Sequence, residues 1–105
     1  MWTLAQANAA LFEVQGMLRE AKALLARHQA EPTAESEEAL LVCLEGFEAR
    51  SIQVKRIEPG LLDFPAMLGN REVLLCWMEG EKEIGHYHDS EGGFAGRKPL
   101  PQIQL

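Results

Sequence analysis

The stretch that decides the fold is Leu61-Leu62-Asp63-Phe64-Pro65-Ala66-Met67-Leu68, then Gly69-Asn70, then Glu72-Val73-Leu74-Leu75-Cys76-Trp77-Met78. Two apolar runs joined by a Gly-Asn pair read as two antiparallel strands and a two-residue turn. Val73 to Met78 is apolar at every position, as a central strand covered on both faces would be. Pro65 has no N–H for a ladder, so its strand is expected to lie at an edge or to carry a bulge.

Working outward, Glu79-Gly80-Glu81-Lys82 reads as a second turn and Glu83 to His88 as a third strand. Upstream, Ile52 to Lys55 alternates weakly as a short strand before the turn Glu58-Pro59-Gly60. A four-residue second turn places Met78 opposite Glu83. Leu62, Phe64, Val73, Leu75, Trp77 and Ile84 then share one face, which His86 and His88 continue. Asp63, Met67, Leu74, Cys76, Met78 and Tyr87 take the other. The first face is the expected contact with helices.

Those helices occupy the first half. Leu4, Ala7, Leu11, Val14, Leu18, Ala21 and Leu25 recur at alternating spacings of three and four, which predicts a helix over 4–29. Thr3 and Gln6 have capping-box spacing at its start. Pro32 cannot extend that helix, and Thr33 or Ser36 can cap a second one carrying Leu40, Cys43 or Leu44, and Phe47. So short a link makes the two helices antiparallel neighbours. The expected class is α+β, a single domain over 1–105. A helical hairpin (1–51) packs on a three- to four-stranded antiparallel β-meander with a Gly-rich closing segment (52–105).

Length and composition agree: 105 residues, 47% hydrophobic and 25% charged, are ordinary for one globular domain. The net charge is −6, and between Glu31 and Ala49 all six charged side chains are glutamates. Such a face repels phosphate backbones and anionic lipid, so no nucleic-acid partner is expected. No run approaches the roughly 18 apolar residues of a membrane span, and no signal-type segment opens the chain, so the expected location is cytoplasmic. Cys43 and Cys76 stand far apart in apolar runs and read as buried thiols. The apolar load on the first helix (Leu4, Leu11, Phe12, Met17, Leu18, Leu24, Leu25) exceeds what one short helix can bury. Either the sheet covers the remainder or a second copy does, and a homodimer through the helices is expected.

Three ordered motifs, Gly60 to Ala66, Val73 to Trp77 and Gly93 to Arg97, resemble the family catalogued as domain of unknown function 2203. The resemblance is close over 60–100 and holds for the helical half only in character. It implies a cytoplasmic bacterial protein and attaches no activity. Asp63, His88 and Arg97 match the family pattern, whereas the family carries an aromatic where this chain has His86 and a valine where it has Leu62.

His86 and His88 have a spacing that metal sites use, but the register above sends Asp63, Cys76 and Asp89 to the opposite face. No metal and no cofactor are therefore expected. Gly93 and Gly96 with Arg97 can cradle a small anion, a phosphate or carboxylate, with Asp63 and His88 beside it. The plainer reading is a closing turn in which Phe94 plugs the core and Asp63 pairs with Arg97. Ser51 and Ser90 have no base at a readable spacing, so nucleophilic catalysis is not indicated. The leading functional expectation is a self-associating interaction or scaffold protein; the competing one is a small-anion-binding protein or minor enzyme.

Overall fold

The structure, a computed structural model, describes residues 1–90, 93 and 96–101. Phe94, expected as a core plug, lies outside them. Helix α1 (Leu4–Ala30) and helix α2 (Ala34–Ala49) precede strands β1 (Gln53–Arg56), β2 (Leu61–Leu68), β3 (Arg71–Met78), β4 (His86–His88) and β5 (Lys98–Pro99). The strands form one antiparallel sheet in chain order. The class is the expected α+β hairpin and meander, with one strand more than foreseen. Lys98–Pro99 adds to β4 through Tyr87↔Lys98 and His86↔Pro99. Two residues ending in proline carry too little strand pattern to be read locally.

Both helices start where side chains satisfy their free N–H groups. Thr3 Oγ1 accepts from Gln6 N–H at 3.1 Å, and Gln6 Oε1 accepts from Thr3 N–H at 3.0 Å. Thr33 and Ser36 repeat this reciprocal pair at 3.0 Å each. Ser36 is buried and also meets His28 Nδ1 at 2.7 Å, so the second cap is tied to the last turn of α1. The link between the helices is thereby fixed, and they run antiparallel.

The buried stripe of α1 is Ala7, Leu11, Val14, Leu18 and Ala21. It packs in one core with Phe47 of α2 and with Leu62, Phe64, Val73, Leu75, Trp77 and Ile84. The helix-facing side of β2 and β3 is therefore as expected. The Gly69-Asn70 turn also holds, with Leu68 opposite Arg71 and Gly69 at φ +63°. Pro65 is accommodated because β1 pairs only with Leu61–Asp63, so β2 is locally an edge further on. There the chain start closes it: Trp2 N–H donates to the Pro65 carbonyl at 2.8 Å, and the Trp2 ring meets Phe64 edge-on at 5.3 Å.

The expected third-strand register is wrong by one residue. A Met78↔Glu83 pairing would set Gly85 opposite Cys76, whereas His86 stands there, with Tyr87 opposite Leu75 and His88 opposite Leu74. The connection is not a four-residue turn but the seven residues Glu79–Gly85. It is held open by side chains: Glu81 accepts Met78 N–H on its carboxylate (2.7 Å) and the Trp77 indole N–H on its carbonyl (3.0 Å). Asn8 Oδ1 takes Ile84 N–H at 2.7 Å. A one-residue slip exchanges the faces. Tyr87 thus packs against the core, and both histidines project from the far side.

Gly60 sits where the sheet passes α1, and a Cβ there would fall 2.3 Å from Leu18 Cδ2. Leu18 is itself 2% exposed and has nowhere to go. Gly60→Ala is expected to destabilise by about 1–3 kcal/mol in urea melts. Gly16→Ala, whose Cβ would meet nothing closer than 3.6 Å, should be neutral or stabilising.

Glu79 accepts Gly60 N–H at 2.9 Å and pairs with Lys22, and these two contacts hold its carboxyl below the usual glutamate range. A lowered folded-state value means stability that is complete above the ordinary glutamate range and lost as pH falls through the lowered one. Glu79→Gln should therefore flatten the acid limb of a stability-versus-pH curve relative to the parent.

Candidate functional site

The register shift gathers the polar side chains of the sheet. Asp63 on β2 stands opposite Cys76 on β3, Cys76 stands opposite His86 on β4, and His88 follows two residues on. Residues directly paired, and residues two apart, project to the same side of a pleated sheet. Four donors from three adjacent strands thus share the face turned away from the helices. The expectation that the pleat keeps the imidazoles from the aspartate is overturned.

At the centre, His88 Nε2 lies 3.0 Å from Asp63 Oδ2. His88 Nδ1 lies 2.7 Å from the Asp89 carbonyl oxygen. A carbonyl only accepts, so Nδ1 carries hydrogen and the ring turns Nε2 towards Asp63. Asp63 Oδ1 is buried with no hydrogen-bond partner among the described residues, and His86 Nδ1 is likewise without one, with Glu81 Oε2 at 3.5 Å. Asp63, Cys76 and His88 each offer a ligand-type atom, and these atoms all lie within 4.8 Å of one another.

Arg97 closes the far side of Cys76. Its Nε donates to Cys76 Sγ and its Nη2 to the Cys76 carbonyl, both at 3.3 Å, and Nη2 also pairs with Glu81. Burial works against the Glu81 charge, yet donation from Arg97 and Met78 N–H outweighs it and holds the carboxyl below its usual range. Burial pushes the Cys76 thiol up, and the neighbouring guanidinium does not reverse this. A protonated thiol with 0% exposure is a poor nucleophile.

Of the residues singled out by sequence, Asp63 and His88 come together, and Arg97 joins them across Cys76. Asp63 finds its partner in His88, while the described carboxylate partner of Arg97 is Glu81. Gly93 is exposed at φ +57°, and Gly96 N–H is engaged by the Gly93 carbonyl at 3.1 Å. Cys76, weighed as a metal ligand and set aside on the expected register, is brought beside both histidines by the observed one, while Glu81 escaped the sequence reading. Glu81 carries no local signal, because Glu-Gly-Glu-Lys reads as a solvated turn.

Taking one partner from a buried ionisable pair strands the other. Asp63→Ala and His88→Ala should each cost about 3–5 kcal/mol, with the double variant costing clearly less than the two together. A double-mutant cycle by urea unfolding measures that coupling.

No curated protein and no solved structure matches this chain. A family model does, over residues 25–100, a span that takes in the end of α1, all of α2, the sheet and the whole polar cluster. With well over half its length matched, the chain belongs to the family described as uncharacterized conserved protein (DUF2203).

Proposed function

We propose that this chain is a small, non-catalytic interaction protein of the cytoplasm that self-associates along the flank of α1. The observation that carries the reading is Phe12, 85% exposed about a third of the way along a 27-residue helix. Helix α2 packs on the side of Met17, whose carbonyl meets the Cys43 thiol and whose methyl approaches Gly46. Five residues separate Phe12 from Met17, which at 3.6 residues per turn puts them on well-separated sides of the helix. Leu4, eight positions before Phe12, is also exposed on that flank. It borders an apolar cleft of about 150 Å³ formed with Met67, Leu68 and Leu100.

The remaining surfaces favour this flank. The glutamate-rich exterior of α2 would repel its own copy, whereas α1 has no acidic residue in its first turn. Asp63, Cys76 and His88 are between 0% and 2% exposed, too enclosed to receive an organic substrate. A small-anion site on Arg97, Asp63 and His88 stands behind this reading, because Arg97 already engages Glu81 and Cys76. No described helix is long and apolar enough to cross a membrane.

Light scattering coupled to size exclusion should return a dimer mass that falls on dilution. Phe12→Glu should shift it to the monomer with an unchanged circular dichroism spectrum, since an exposed site costs within about 0.5 kcal/mol of fold stability. A monomer mass for the parent protein at the highest attainable concentration removes the proposal.

A further inference from the structure

The enclosed donor cluster on the far face of the sheet has a chemistry that the interaction reading does not use. We propose that Asp63, Cys76 and His88 form a binding site for a divalent transition-metal ion of the zinc class, which ties β2, β3 and β4 together.

The geometry is the first argument. Zinc-type ions sit about 2.0–2.2 Å from nitrogen and oxygen ligands and about 2.3 Å from thiolate sulfur. Ligand atoms around a tetrahedral ion are then about 3.3–3.8 Å apart. His88 Nε2 and Asp63 Oδ2 are 3.0 Å apart, and no two of the three donor atoms exceed 4.8 Å. Adjustments of a few tenths of an ångström to about one ångström, within the reach of side-chain torsions, bring all three onto one ion.

The second argument is that the site is already oriented for a ligand. Metal-binding histidines hold their other ring nitrogen on a carbonyl or carboxylate, which fixes the tautomer. His88 does so through Nδ1–H to the Asp89 carbonyl at 2.7 Å, which presents Nε2 to the cluster. Arg97 Nε–H points at Cys76 Sγ, the kind of outer donor that supports a bound thiolate. Asp63, 1% exposed, keeps Oδ1 without a hydrogen-bond partner among the described residues. A buried carboxylate oxygen in that condition is costly, and a cation relieves it.

Charge and donor type select the ion. With Cys76 bound as thiolate, the cluster carries the charges of Asp63, Cys76 and Glu81 against that of Arg97, which leaves two negative charges for a divalent ion to neutralise. A nitrogen, oxygen and sulfur set suits zinc and cobalt rather than calcium or magnesium, which take oxygen alone. With 0–2% exposure at the three ligands, the ion would act as a clasp between strands, compatible with a protein that performs no catalysis.

The test titrates Co(II), as a spectroscopic stand-in for zinc, into the full chain after chelator treatment. Cys43 is replaced by serine so that Cys76 is its one thiol, and circular dichroism confirms that this variant is folded. The expected result is a near-ultraviolet thiolate-to-cobalt charge-transfer band with visible d–d bands, all bleached by Zn(II), and a higher melting temperature with either metal. His88→Gln on that background should abolish the charge-transfer band. A folded Cys43→Ser protein that gives no charge-transfer band overturns the proposal. Cobalt binding without thiolate character, as at surface carboxylates and His86, overturns it as well. If His88→Gln does not fold, alkylation of Cys76 in the Cys43→Ser chain decides, carried out at a urea concentration chosen so that the metal-free protein opens enough for the buried thiol to react. Protection by Zn(II) supports the site, and equal labelling with and without metal overturns it.

Discussion

Glu81 holds the geometry on which the polar face depends. Its carboxylate binds Met78 N–H and Arg97, and its carbonyl takes the Trp77 indole N–H. These contacts widen the link after β3 so that β4 enters with His86, not Gly85, opposite Cys76. Because side chains alternate along a strand, that single residue decides whether the histidines join the apolar core or meet Asp63. A half-buried carboxylate in a turn thus sets the composition of a sheet face.

The two faces of the sheet obey different accounting rules. Facing α1 and α2, Leu62, Phe64, Val73, Leu75, Trp77 and Ile84 need only fill space, and dispersion and the hydrophobic effect suffice. On the other face, every polar atom removed from water needs a partner. Asp63 and His88 supply one another's, and Arg97 serves Cys76 and Glu81 together. Asp63 Oδ1 and His86 Nδ1 have no hydrogen-bond partner among the described residues.

The helical half plays a separate part. Reciprocal caps at Thr3 and Thr33 and the buried stripe from Ala7 to Ala21 fix α1 against the sheet. On the outer flank of α1, Phe12 is left in solvent, and Leu4 borders the cleft with Met67 and Leu68 of β2. The proposed self-association and the proposed ion site therefore rest on different surfaces, and each can be tested without altering the other.

The elements themselves were written in the sequence. The alternating spacing of apolar residues, the Thr3–Gln6 pair, Pro32, and the Gly69-Asn70 turn all act over four residues or fewer, so their outcome depends on near neighbours alone. The helix-facing set on β2 and β3 was legible for the same reason, because a two-residue turn leaves no freedom in register. The placement of His86 and His88 was not, and neither was the role of Glu81 or the two-residue strand β5. Those rest on contacts between distant parts of the chain: Asn8 with Ile84, Arg97 with Glu81, Tyr87 with Lys98. A connection wide enough to be shaped by such partners has several possible lengths, and only the packed protein selects one, because only there do those groups come within hydrogen-bonding distance.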